Sequence, residues 1–192
     1  MRKIVLASNN KHKVIEFKEM LGNVEILTLE SIGFTEDIEE TGKTFEENAL
    51  IKARTIKEYL KEKNLDYAVV ADDSGLCCEA LNGAPGIYSA RYAGDHDNEK
   101  NRAKLREDLQ GKDRTAYFIC TIAFIDEEGK EQIFVGKTYG TIIDEELGNK
   151  DFCFDCMFHS DDLDKTFGES TEEEKNSVSH RSRAIEKLKE VL

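Results

Sequence analysis

The run Tyr67-Ala68-Val69-Val70-Ala71 is short, apolar and partly β-branched, the make-up of a strand packed on both faces. Asp72-Asp73-Ser74-Gly75-Leu76 follows it without a break. Strands of this kind belong to sheets covered on both sides, which points to an α/β fold. Ligands of open α/β sheets gather at the carboxyl ends of the strands. The strand is therefore expected to end at the acids and present them there. Adjacent carboxylates in such a place suit a divalent metal that takes few protein oxygens and completes its shell from water and phosphate. Asp-Ser-Gly also starts turns well, so this stretch alone leaves both readings open.

The flanking segments supply the remaining elements. Ile4-Val5-Leu6-Ala7 reads as a buried, central first strand, and Val14, Phe17 and Leu21 share one face of the helix that follows, with Ile15 and Met20 at its edges. Between them, Ser8 to Lys13 forms a strand-to-helix turn. Its amides and positive dipole end suit an anion, with Lys11 and Lys13 adding charge, unless Ser8 or Asn10 simply caps the helix. Val24 to Leu29 reads as a second strand. Glu36 to Lys43 is acidic and reads as a solvated loop. A helix is predicted from Thr44, where Glu47 makes a capping box plausible, and Lys52 projects from its middle.

Asp97 to Leu109 predicts a polar, peripheral helix. Thr115 to Ile125 and Ile133 to Ile143 flank the polar Asp126-Glu127-Glu128-Gly129-Lys130 and predict a hairpin. Thr171 to Glu174 predicts a short capped helix. Ser179-His180-Arg181 opens the last one, which is odd because cations are disfavoured at a helix N-terminus. Such local rule-breaking marks functional sites.

Composition narrows the function classes. The 192 residues suit one domain. Against 27 Lys+Arg stand 40 Asp+Glu, a net charge of −13. That is the wrong balance for a nucleic-acid backbone, though lysines focused in a cleft can still hold a small polyanion. The five cysteines form no regular framework, so reduced thiols and a cytoplasmic protein are expected. Cys153-x-x-Cys156 alone is weak support for zinc or redox chemistry. No apolar run is long enough to span a membrane, and none is expected as a partner.

Several blocks in order resemble the inosine triphosphate pyrophosphatase family: Ser8-Asn9-Asn10-x-x-Lys13, Glu40-Thr41-Gly42-x-Thr44-Phe45-x-Glu47-Asn48-Ala49, Ala71-Asp72-Asp73-Ser74-Gly75-Leu76, Gly83-x-Pro85-Gly86-x-x-Ser89-Ala90-Arg91, and Lys175 followed by Ser179-His180-Arg181. The resemblance implies an elongated mixed β-sheet with flanking helices and two lobes around a central nucleotide-binding cleft. It implies one domain over residues 1–192, usually a homodimer. It implies hydrolysis of ITP, dITP and XTP to the monophosphate and pyrophosphate.

Carried onto these positions, Mg²⁺ sits between Glu40 and Asp73, and Asp73 takes a proton from the attacking water. Ser8, Asn9, Asn10, Lys11, His12, Lys13, Lys52 and Ser74 hold phosphates and sugar. Lys175, His180 and Arg181 meet the base, together with Phe152, Cys153, Phe154 and Asp155.

The chain departs from the family in its base loop. The usual Gly-Gly-Phe-Gly-Tyr-Asp-Pro is Lys150-Asp151-Phe152-Cys153-Phe154-Asp155-Cys156 here. Side chains at Asp151 and Cys153 are costly if those positions need φ > 0, and loss of the proline loosens the loop. Altered base selectivity with intact chemistry is the expectation. The alternative is a nucleotide-binding sensor that keeps the site without turnover.

Overall fold

The computed structural model describes residues 1–94 and 96–192. Strand β1 (Lys3–Leu6) leads through helix α1 (Lys11–Met20) to β2 (Glu25–Leu27), and helix α2 (Phe45–Glu62) leads to the long β3 (Ala68–Cys78). Helix α3 (Asn98–Asp108) precedes β4 (Thr115–Ile125) and β5 (Glu131–Ile142), neighbours joined by the Asp126–Lys130 turn. Two short strands follow, β6 (Phe158–Ser160) and β7 (Lys165–Thr166), then helices α4 (Glu172–Val178) and α5 (His180–Lys189). The strands form one mixed sheet in the order β2-β1-β3-β4-β5-β6-β7. β1 runs parallel to β2 and β3, whereas β6 runs antiparallel to β5 and β7. No helix among the described residues is long and apolar enough to cross a membrane.

The chain divides into two compact units. The first comprises Met1–Asp73, Cys120–Gly136 and Ser182–Leu192, and the second comprises Ser74–Ile119 and Lys137–Arg181. In the first unit the strands separate two apolar layers. Ile4, Leu6, Ala68 and Val70 pack with Phe17 of α1 and with Ala184, Ile185 and Leu188 of α5. Val5, Val69 and Ala71 pack on the other side with Ala49, Ala53, Ile56 and Leu60 of α2. The alternation is the period of two that strand geometry imposes. The second unit has its own core, in which Leu76, Cys78, Leu105, Phe118, Phe154 and Phe158 meet.

Three expectations need correcting. β1 is buried but stands second from the sheet edge, because the short β2 lies outside it and helices cover both its faces. β2 stops at Leu27, since Leu29 turns inward against α2 ahead of a 3₁₀ turn at Glu30–Ile32. Most consequentially, β3 does not end at Ala71: Asp72, Asp73, Ser74 and Gly75 are strand residues, and the chain stays extended to Cys78. The turn propensity of Asp-Ser-Gly is local and weak, and sheet pairing over a buried span overrides it.

Candidate functional site

Continuation of the strand sends the two aspartates to opposite faces. Asp72 shares the parity of Val70 and meets α1, where Lys13 Nζ lies 2.9 Å from its Oδ2. Asp73 shares the parity of Val69 and Ala71 and meets α2, where Asn48 Nδ2 donates to its Oδ2 at 3.0 Å. The two acids are 1% and 7% exposed, so each is desolvated and depends on these partners.

Lys52 ties the group together. It stands one turn after Asn48 on α2, pairs with Glu40 and donates to the Asp72 carbonyl at 2.7 Å. Burial works against its charge, but Asp72, Asp73 and Glu40 outweigh burial and hold the ammonium above its ordinary pKa. Asp73 is shifted upward, chiefly by burial, with Lys52 opposing and Glu40 reinforcing the shift. A carboxyl with raised proton affinity next to a second carboxylate and a fixed cation can take a proton from water.

Helix α2 starts where the sequence predicts. Thr44 Oγ1 accepts from Glu47 N–H, but the Glu47 carboxylate takes the Lys43 amide instead of closing the box on Thr44. At α1 the capping alternative is realised: Asn10 Oδ1 accepts from His12 N and Lys13 N at 3.0 and 3.2 Å. Those two amides are therefore engaged by the chain itself. Ser8 Oγ accepts from Asn10 N–H at 3.2 Å, while Asn9, Lys11 and His12 lie exposed.

The second unit gathers another set. Lys175 Nζ lies 2.5 Å from Asp155 Oδ2 and 3.9 Å from the centre of the Phe152 ring. The Arg181 guanidinium is 5.8 Å from the same ring, and its Nη2 is 3.4 Å from Ser74 Oγ. His180 stacks on Phe118, centroids 4.9 Å apart and planes 17° from parallel. His180 and Arg181, which open α5, thus lie against aromatic rings and a hydroxyl.

The two phenylalanines of the loop separate clearly. Phe152 stands among the cations, whereas Phe154 is 3% exposed and belongs to the core. The thiol of Cys153 donates to the Asn98 carbonyl. Burial pushes that thiol up to about 12 against the pull of Arg102, and Cys156 is also raised by burial. Thiols with raised pKa, Cys153 half-buried and Cys156 buried, are poor nucleophiles and poor metal ligands, which weighs against zinc or redox chemistry at this pair.

The profile of the Ham1 family matches residues 4–191. The chain belongs to the Ham1 family. It is 50% identical to a protein of Clostridium perfringens named dITP/XTP pyrophosphatase, covering 100% of this chain and 98% of that one. It is 43% identical to a Campylobacter jejuni protein of the same name, covering 99% and 96%. Among solved structures, a HAM1 protein from Coxiella burnetii aligns with a TM-score of 0.87 at 39% identity, covering 100% of this chain and 98% of its own. The Ham1 protein of Staphylococcus aureus aligns at 0.85 and 40% identity, covering 97% and 96%. The resemblance read from the sequence is borne out, and so is the mixed sheet with flanking helices.

Within the Ham1 framework the altered loop costs less than its sequence suggests. Among the described residues, positive φ outside glycine falls at Asn64, Asn82, His96 and Asp164. Asp151 and Cys153 are not of that set, so side chains sit there without backbone strain. The loop is instead seated where Gly148 and Gly168 meet: a Cβ on Gly148 would lie 2.0 Å from the Gly168 oxygen.

Sequence reasoning overlooked Asp72 as the partner of Lys13 and gave Asn48 no role. Asn48 did carry a signal, being a polar residue one turn from Lys52 beside the Ala49-Ala53-Ile56-Leu60 stripe.

Proposed function

We propose that this chain is a Mg²⁺-dependent nucleoside triphosphate pyrophosphatase that converts ITP, dITP and XTP to the monophosphate and pyrophosphate, removing them from the nucleotide pool. The observation that carries the reading is the group formed by Lys52, Glu40, Asp72 and Asp73, a buried cation fixed among carboxylates. The names of the dITP/XTP pyrophosphatases at 43–50% identity support the same substrate class.

The donor set suits the metal. Glu40 and Asp73 offer oxygen ligands only, and Mg²⁺ takes one or two carboxylates and keeps water and phosphate oxygens for the rest. When bound, the ion would neutralise charge on the phosphate oxygens and acidify water.

The chain's own residues supply the remainder. Asp73 accepts the proton of the water that attacks the α-phosphorus. Lys52 and Lys13 oppose the charge that builds as pyrophosphate leaves. Phe152 offers the stacking face for the purine. Arg181 and Lys175 are donors for a 6-oxo group, and an adenine amino group would meet them donor to donor. Polar pairing of that kind can discriminate by ~10⁴ or more.

A pure nucleotide sensor has no need of a buried carboxylate with raised proton affinity, which weighs against the non-catalytic alternative. The reading includes a single domain of two lobes, a homodimer and a cytoplasmic setting, with neither nucleic acid nor membrane as partner. Light scattering tests the dimer.

The deciding measurement is pyrophosphate release from ITP, XTP, dITP, GTP and ATP, with and without Mg²⁺. Release that depends on Mg²⁺ and favours ITP, XTP and dITP is expected. A metal-replete protein that releases none from any of the five sinks the proposal.

A further inference from the structure

Asn48 is wholly buried in the first turn of α2. Its backbone N–H is already used within the helix, donating to the Thr44 carbonyl. A side-chain amide carries an acceptor at one end and donors at the other. Here Oδ1 accepts from Gly42 N–H at 2.8 Å and Nδ2 donates to Asp73 Oδ2 at 3.0 Å. The partners dictate this orientation, since a backbone N–H only donates and a carboxylate only accepts.

Gly42 belongs to the loop that carries Glu40, so one side chain joins that loop to the strand that carries Asp73. The approach is close. A Cβ on Gly42 would lie 2.6 Å from Asn48 Oδ1, 2.7 Å from Glu47 Cβ and 2.9 Å from Asn48 N. The neighbouring Ala49 and Ala53 are fully buried, and an apolar residue would fill this position without an amide to satisfy.

We propose that Asn48 is a positioning residue for the pyrophosphatase reaction: its amide sets the Asp73 carboxylate against the Glu40 loop. The inference rests on the function proposed above. It takes Asp73 and Glu40 as the carboxylates of that site, and it adds the device that holds the one against the loop of the other.

The test compares Asn48→Ala and Asn48→Asp with wild type, using Ile56→Val as a control that loosens the same helix from its core side. Pyrophosphate release, thermal unfolding and exchange of the Gly42 amide are measured, the last without nucleotide or metal. Asn48→Ala is expected to lower kcat by roughly 10- to 100-fold, the worth of a hydrogen bond to a charged group, with KM little changed. Its Gly42 amide exchanges faster than in wild type. Asn48→Asp keeps an acceptor for Gly42, so that amide stays protected, while the amide donor to Asp73 is gone. Ile56→Val lowers the unfolding temperature and leaves kcat alone.

Near-wild-type kcat in Asn48→Ala overturns the proposal. So does a Gly42 amide that is equally protected in Asn48→Ala. A wild-type protein without turnover sinks the reaction itself, and the exchange comparison then decides separately whether Asn48 holds the loop.

Discussion

Lys175 Nζ lies 2.5 Å from Asp155 Oδ2, and both residues are nearly fully buried, at 7% and 6% exposure. A pair this desolvated is sensitive to the loss of one member, which strands the other charge. Lys175→Met is expected to destabilise the fold by about 3–5 kcal/mol. Lys175→Met combined with Asp155→Leu should recover most of that loss, because the stranded carboxylate is gone. Urea unfolding of the two variants checks the non-additivity. In turnover assays both should lose preference for 6-oxo purines.

Phe152 and Phe154 sit two positions apart but have different jobs. Phe154→Ala empties a core position and should cost about 3–5 kcal/mol of stability. Phe152→Ala removes a ring beside Lys175 and Arg181 and should leave stability almost unchanged. Its cost appears in nucleotide binding, at about 1–3 kcal/mol for lost stacking. Calorimetric binding of the nucleoside monophosphate alongside thermal unfolding separates the two. A Phe152→Ala variant that unfolds early and binds normally would reverse the assignment.

Lys52 pairs with Glu40, and its ammonium also holds the Asp72 carbonyl. Lys52→Met should lower kcat by about 10²–10³, as expected when a preorganised charge aimed at the reacting phosphate is removed. Lys52→Arg should restore little of it, because a planar guanidinium does not fit a site built for a point charge. Steady-state pyrophosphate release is the readout.

Acid stability should report on Glu146. Its carboxylate meets Lys150 at 2.7 Å, Arg102 at 3.1 Å and also Arg106. The hydrogen bond from Lys150, with further help from Arg106 and Arg102, holds its pKa at about 2 against an ordinary value of 4.5. A group depressed in the folded state stabilises the fold above its unfolded pKa and loses that contribution as the pH falls. The stabilisation is therefore complete above roughly pH 4.5–5 and drains away towards pH 2. Unfolding free energies from pH 7 down to pH 3 should fall more steeply for wild type than for Glu146→Gln. Parallel curves would show that the cluster contributes nothing.

The legible parts of the sequence were those governed by local periodicity. Ile4 to Ala7, the stripe from Ala49 to Leu60, and the two runs around Asp126 to Lys130 fold as their patterns predict. The short strands Phe158–Ser160 and Lys165–Thr166 gave no such signal, since two or three residues cannot display a period. Residue types announced the acids, the lysines and the cations at the start of α5. Partnerships could not be announced that way. Which phenylalanine faces the cations depends on how the loop seats against Gly148 and Gly168, and no composition records that. Asn10 could equally have capped its helix or left the amides open; the choice rests on a side-chain rotation.

Because β3 runs on through its acids, the partners of Asp72 and Asp73 are decided by counting. Deleting one residue from the Ala68–Ala71 stretch of β3 would move both acids one place along the strand and turn each to the other face. Asp73 would then take the place that faces Lys13, and Asp72 would move to the place of Ala71 on the α2 side, leaving Asn48 without its carboxylate. Every side chain type would survive such a change, and the arrangement would not. The apolar run from Ala68 to Ala71, which touches no nucleotide in the proposed reaction, is thus a spacer whose length is under the same constraint as the acids themselves.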